Sequence, residues 1–137
     1  MNTPQRVLPV PTDITRAYWE GAAAGKLLIQ HCQDCGHHQF FPRPFCLACM
    51  SGELAWKATS GKGTIYTFTV NHRPAHASLA ERVPYVVAMI DLDEGVRMMA
   101  NLLDAPPAKL AIGKRVRVVF ETLSDTITLP QFVLDAD

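Results

Sequence analysis

Four cysteines, Cys32, Cys35, Cys46 and Cys49, stand in two Cys-x-x-Cys pairs separated by ten residues, and they are the only thiols in the 137-residue sequence. A two-residue gap lets both sulfurs of a pair face one ion from a tight knuckle. Gly36, directly after the first pair, can take the positive φ that such a knuckle needs. The stretch from His37 to Phe45 can run as a hairpin and carry the second pair to the same ion. Four thiolates match a closed tetrahedral zinc site, structural in kind, with no open coordination position for catalysis. The ligand set alone leaves iron in a rubredoxin-like site as the alternative. Two disulfides would use the same thiols, but a reducing cytoplasm disfavours them. His37 and His38 are metal ligands by type, yet four sulfurs already fill the shell, so both are read as hairpin residues. Zinc binding at such a site contributes about 10–16 kcal/mol in apparent terms, enough to organise a ribbon too small to fold alone.

Between the pairs, Phe40-Phe41-Pro42-Arg43-Pro44-Phe45 packs three aromatics and an arginine into one connection. The phenylalanines are expected to close the ribbon's core against the rest of the chain. Arg43, flanked by prolines, offers a rigid fork to a ligand phosphate, and Lys62, between Gly61 and Gly63, can approach the same place. His72, Arg73, His76 and Arg82 give positive character to residues 72–83, which at twelve residues are long for a hairpin connection. A surface loop is the default reading there. The chain has no Ser-His-Asp order, Gly-x-Ser-x-Gly elbow, phosphate-binding glycine loop or His-Glu-x-x-His. With the cysteines committed to metal, no catalytic set is left.

These residues need elements to hold them. Residues 1–11 carry Pro4, Pro9 and Pro11 and read as an extended arm. Thr12 or Asp13 can cap a helix running to about Ala24, with Gly25 placed to stop it. Ile14, Ala17, Tyr18, Gly21 and Ala22 share one side, so the helix is expected to dock. Leu27-Leu28-Ile29 reads as a short strand entering the first cysteine pair. From residue 63 the pattern turns β. Tyr66, Phe68 and Val70 alternate with Ile65, Thr67 and Thr69, and the first three are expected inside. Tyr85–Asp91, Val96–Leu103, Val116–Phe120 and Ile127–Leu134 complete five strands, with a tight turn at Asp93-Glu94-Gly95 and room for one helical turn in 105–112. Met89, Met98 and Met99 fall in the central strands, as core filler if they face inward and as an apolar patch if outward. The fold is thus mainly β, a five-stranded Greek-key barrel of the oligonucleotide/oligosaccharide-binding (OB) type with an SH3-like barrel as competitor. The organisation expected is arm and helix over 1–26, zinc ribbon over 27–58 and barrel over 59–137.

Hydrophobic residues make up 48% of the chain, enough for a packed interior, and 13 basic residues balance 13 acidic ones. A chain without net charge has no long-range field to gather phosphate backbones, which lowers the expectation of nucleic-acid binding. No charged-then-apolar leader and no apolar run of membrane-spanning length occurs, so a cytoplasmic protein without a membrane anchor is expected.

The order of motifs is itself informative. Tyr18-Trp19, Gly25-Lys-Leu, Cys32-x-x-Cys-Gly, Phe41-Pro-Arg43 and Cys46-x-x-Cys49 are followed by Trp56, Gly61-x-Gly63-x-Ile-Tyr-x-Phe-Thr69, Pro84-Tyr85, Asp91-Leu-Asp-x-Gly95 and Ile112-Gly113. This pattern resembles the zinc-ribbon/OB-fold family catalogued as domain of unknown function 35 over about residues 12–134. The resemblance implies a rubredoxin-like zinc ribbon joined to an OB-fold, with the N-terminal helix packed across both. It further implies a non-catalytic accessory protein that binds acyl-CoA or bridges thiolase-, aldolase- or hydratase-type enzymes. Phe41, Arg43, Lys62 and Arg73 are then the candidates for acyl-CoA contact. The alternative is single-stranded nucleic-acid binding by the OB-fold. One departure is that Phe-Phe-Pro-Arg-Pro stands where many relatives carry Phe-Pro-Pro-Arg.

Overall fold

The structure, a computed structural model, describes residues 7–135. The expected arm is irregular from Val7 to Pro11, and its part over 1–6, Pro4 included, lies outside the described residues. Thr12 does act as a cap, but of a turn. The Thr15 N–H donates to Thr12 Oγ1 at 3.2 Å, and the Thr12 N–H donates back to Thr15 Oγ1 at 2.8 Å. This reciprocal lock closes residues 13–15, and α1 (Arg16–Ala23) begins after it, later than the capping pattern suggested. Gly25 stops the helix as expected. With φ +79° it turns left-handed, letting the Lys26 N–H reach Gly21 O at 2.8 Å and the Gly25 N–H reach Ala22 O at 3.0 Å. Tyr18, Gly21 and Ala22 are buried, whereas Ile14 is exposed because it precedes the helix proper. Gly21 is required by contact: a Cβ there would stand 2.6 Å from Leu28 Cδ1.

A three-stranded sheet follows, ordered β2–β1–β3, with β1 (Leu28–Cys32), β2 (His38–Gln39) and β3 (Leu54–Ala58) all antiparallel. The sequence pattern gave no sign of β3, since Leu54-Ala55-Trp56-Lys57-Ala58 lacks alternation. Its strand character comes from pairing Trp56 with Gln30 and Leu54 with Cys32 across the sheet.

The remaining strands, β4 (Lys62–Asn71), β5 (Tyr85–Leu92), β6 (Arg97–Leu102), β7 (Arg115–Thr122) and β8 (Thr128–Leu134), close a barrel in the order β4–β5–β6–β8–β7. This is the OB arrangement, and the SH3-like alternative falls away. Pro107–Lys109 supply the single helical turn between β6 and β7. Asp93-Glu94-Gly95 makes the tight turn, with the Gly95 N–H on Leu92 O at 2.9 Å. Gly61 and Gly63 are required by close approach. An added Cβ would meet Val118 Cγ1 at 2.5 Å or Asp91 O at 2.6 Å, respectively.

One strand face differs from expectation. The β4–β5 register slips between Ile65 and Thr67, placing Tyr66 on a β-bulge. Ile65 therefore points inward before the bulge and Phe68 and Val70 after it, while Tyr66 turns out, 48% exposed, with the Arg97 guanidinium 3.4 Å above its ring. Alternation read straight through residue 66 could not reveal the extra residue. On β5 and β6, Val86, Ala88, Ile90, Leu92, Met98 and Leu102 face the core. Met99 lies on the outer face and Met89 is half-buried opposite it. Tyr18 from α1 and Leu27 and Ile29 from the ribbon join the same core cluster as Ile65, Val116 and Phe132, and α1 touches β1, β7 and β8. The helix is the clamp between ribbon and barrel.

Candidate metal centre

Each cysteine pair sits in a knuckle built by the same backbone pattern. In the first, the Cys32 N–H donates to His37 O at 2.8 Å and the Gly36 N–H to Cys32 O at 3.0 Å. In the second, the Cys46 N–H donates to Ser51 O at 2.8 Å and the Met50 N–H to Cys46 O at 2.8 Å. The repeat puts Met50 where the first knuckle has Gly36, and both are left-handed, at φ +67° and +80°. Gly36 takes that conformation without cost, whereas Met50 bears the Cβ penalty. Met50→Gly is therefore expected to raise the stability of the metal-loaded ribbon by about 0.5–1 kcal/mol, the relieved strain less the added chain entropy. Urea unfolding of the metal-loaded chain measures it.

The four sulfurs lie within 4.8 Å of one another, with Cys32–Cys49 and Cys35–Cys46 each 3.6 Å apart. Sulfurs placed 2.3 Å from a tetrahedral zinc stand about 3.8 Å apart, whereas a disulfide needs about 2.05 Å. The donor set and spacing fit one four-coordinate zinc ion and exclude two disulfides. Among the described residues no other His, Cys, Asp or Glu group gathers in this way. His38 lies on β2, its ring stacked 4.6 Å from that of His31 across the sheet, and His37 contributes its carbonyl to the first knuckle. Backbone N–H groups, Cys35's foremost and then Asp34's, hold the Cys32 thiol down at about 7 against the opposing effect of burial. Cys49 receives a backbone N–H from Ser51 that favours its thiolate, yet the Cys35 sulfur and desolvation push it up to about 12. A bound zinc ion would be held by all four sulfurs as thiolates, its double charge favouring loss of their protons.

Two buried glutamines hold the segment between the knuckles. Pro42 and Pro44 lack the N–H groups a fourth strand would need, and side-chain amides replace them. Gln30 Oε1 accepts the Arg43 N–H at 2.9 Å, and its Nε2 donates to Arg43 O at 2.8 Å. Gln39 Nε2 donates to Gln30 Oε1 at 2.8 Å and to Phe45 O at 3.2 Å, while its Oε1 accepts the Leu47 N–H at 3.0 Å. The sequence reading passed over both residues; the available signal was a glutamine beside Ile29 in a short apolar strand. Gln30→Leu leaves the Arg43 N–H without its acceptor and is expected to cost about 1–3 kcal/mol. Thermal unfolding gives the loss, and broadening of the Arg43 amide resonance locates it.

The residues expected at an acyl-CoA site do not all converge. Phe41 and Arg43 are together, the Arg43 Cζ 5.7 Å from the Phe41 ring centre. Lys62 starts β4 and faces Asp135 at 3.9 Å. Arg73 lies just beyond the far end of the same strand, about 30 Å along it. The loop between β4 and β5 is tied down by Tyr85, whose hydroxyl accepts the Ala75 N–H at 3.1 Å, and by Arg82 on Glu121 at 3.1 Å. Of the three ribbon phenylalanines expected to close the core, only Phe40 packs against it. Phe41 and Phe45 are exposed, as are Leu47 and Met50.

A cleft of about 280 Å³ opens between α1, the ribbon and the outer face of the barrel, lined by Tyr18, Phe40, Met99, Asn101, Pro130 and Gln131 among others. It lies over the seam where β6 and β8 run parallel and pair through Leu102 and Phe132. Side-chain amides close this seam: Gln131 Oε1 accepts the Asn101 N–H at 3.0 Å, its Nε2 donates to Asn101 Oδ1 at 3.3 Å, and Asn101 Nδ2 donates to Val86 O at 3.0 Å. Tyr18 differs. It is 7% exposed, its hydroxyl has no hydrogen-bond partner among the described residues, and burial raises its pKa, so it stays a protonated donor.

Comparison with known proteins agrees with this geometry. Residues 19–55 match the family described as "ChsH2, rubredoxin-like zinc ribbon domain", and residues 56–121 that described as "ChsH2, C-terminal OB-fold domain". The chain is 34% identical over 131 residues to the "Probable enoyl-CoA hydratase alpha subunit" of Thermomonospora curvata, an alignment covering 94% of this chain but only 40% of that one. It is 35% identical over 100 residues to a "DUF35 domain-containing scaffold protein" of Methanocaldococcus jannaschii, covering 72% of this chain and 70% of that one. A solved structure, "Ltp2-ChsH2(DUF35) aldolase", superposes with a TM-score of 0.83 at 32% identity, over 92% of this chain and 98% of that chain.

Proposed function

The chain belongs to the DUF35 family of zinc-ribbon and OB-fold proteins, and from that premise we propose that it is a non-catalytic scaffold subunit for an acyl-CoA enzyme. Its partner is of the aldolase, hydratase or thiolase type, and the subunit helps to hold the CoA thioester. The observation that carries this reading is the similarity, along nearly the full length of both chains, to the DUF35 chain of a structure named as an aldolase. The hydratase alpha subunit that shares this region points to the same class of partner. A metal site with all four positions filled by sulfur supports a structural rather than a catalytic role. The exposed Phe41, Phe45, Leu47 and Met50 on the ribbon give a partner protein apolar surface to cover. Arg43, above Phe41, is the proposed contact for the CoA phosphates. Lys62 and Arg73, at opposite ends of β4, cannot share one phosphate group, so each would serve a different part of a ligand or partner. Single-stranded nucleic acid is the less favoured ligand, because the exposed ring of Tyr66 is already capped by Arg97.

Affinity purification of the tagged chain from its native cell tests the role. A thiolase-, aldolase- or hydratase-type enzyme is expected to co-elute at a fixed ratio through a second sizing step. Recovery of the chain alone, or with nucleic acid, would sink the proposal.

A further inference from the structure

We propose that the cleft between α1, Phe40 and the β6/β8 seam seats the pantetheine arm of an acyl thioester, with the Tyr18 hydroxyl donating to one of its carbonyls. This rests on the acyl-CoA role proposed above and names the place on this chain where the ligand lies. Buried phenols are almost always hydrogen-bonded. Tyr18 is 93% buried by its 7% exposure, lines the cleft, and has no partner for its hydroxyl among the described residues.

The amides beside Tyr18 are already used. Asn101 and Gln131 bond each other, and Asn101 also holds Val86 O. The cleft therefore offers a donor that is unpaired among the described residues, between walls made by Phe40, Val87, Met99, Leu129 and Pro130. A ligand that fits must be slender, mostly apolar, and interrupted by a carbonyl acceptor. About 280 Å³ lies near the lower end of ligand-site volumes. Pantetheine has this character, since its amide carbonyls alternate with short methylene runs and its sulfur carries a further carbonyl when acylated. The surroundings also give the arm a direction. Phe41 stacks on Phe40 at 5.6 Å and Arg43 lies 5.7 Å over Phe41, so the phosphate-bearing end leaves toward a guanidinium. The acyl end then passes over Met99, a flexible side chain on the open face.

S-octanoyl-pantetheine, which lacks the nucleotide, and octanoyl-CoA are titrated by calorimetry into the zinc-loaded full chain, with amide shifts followed by NMR. Both are expected to bind and to move the resonances of Tyr18, Phe40, Met99 and Gln131. Tyr18→Phe keeps the packed ring and removes the donor, and should weaken both ligands by roughly three- to tenfold. Met99→Trp, at an exposed position, fills the mouth and should abolish binding while the unfolding midpoint stays put. If octanoyl-CoA binds the parent chain and both variants alike, the cleft assignment is overturned and the acyl-CoA role survives. If octanoyl-CoA does not bind the parent chain, the two fall together.

Discussion

Stripping the metal with a strong chelator under reducing conditions is expected to unfold the ribbon while the barrel strands keep their hydrogen bonds. The ribbon sheet has only two long strands, and β2 is a two-residue strand. What fixes the chain between Cys32 and Cys49 is the knuckle pair and the glutamine-held segment, both of which depend on the sulfurs converging. Without the ion, four thiols within 4.8 Å must stay protonated or repel one another. About 10–16 kcal/mol of apparent binding is then missing from an element with little core of its own. Hydrogen exchange reads the result directly. The amides of Cys32, Gly36, Cys46 and Met50 should lose protection together, while Ile90 and Val116 exchange far more slowly. Leu27 and Ile29 belong to the shared core, so the barrel should also melt at a lower temperature. Cys46→Ser should act in the same direction with metal present. Retained protection at both knuckles in metal-free protein would remove the structural role assigned to zinc.

Phe132→Ala is expected to cost about 3–5 kcal/mol, a large share of the roughly 5–15 kcal/mol that stabilises a domain of this kind. Phe132 is fully buried and pairs with Val118 on one side and Leu102 on the other. Its carbonyl accepts the Leu103 N–H at 2.8 Å, at the parallel seam that closes the barrel. Truncation opens a cavity where few backbone bonds are available to pull the strands together. The core cluster that holds Phe132 draws residues from β4, β5, β6 and β7, so collapse of one side widens another. Urea unfolding of zinc-loaded protein, with Phe132→Leu as a milder control, measures the effect. A loss below about 1 kcal/mol would show that the seam repacks freely, contrary to a closed, well-filled barrel.

Much of this architecture was legible before any coordinates because it rests on local chemistry. Cysteine spacing states a metal site wherever the chain goes, since a two-residue gap makes a knuckle by itself. Gly25 and Gly36 marked left-handed positions, and both are left-handed. An alternating run located β4 and further apolar runs the other four barrel strands, and the order of motifs identified the family. The features that escaped detection arise from pairing across distance. β3 is a strand because β1 lies beside it, and Tyr66 turns outward because β5 forces a slip in register. Gln30, Gln39 and Gln131 look like ordinary polar residues until the backbone groups that need them are brought within 3 Å or so.

The same division separates the site from its surroundings. Amino-acid type and spacing alone determined that four sulfurs would bind one ion, that a helix would precede them and that a small barrel would follow. Only the tertiary structure decided that Phe41 and Arg43 meet while Lys62 and Arg73 are held apart. Only it placed the Tyr18 hydroxyl, without a hydrogen-bond partner among the described residues, in a cleft shared by helix, ribbon and barrel. Knuckles, caps and alternation are set by neighbours along the chain, whereas a cleft is the gap left when distant segments pack, and no single segment encodes a gap.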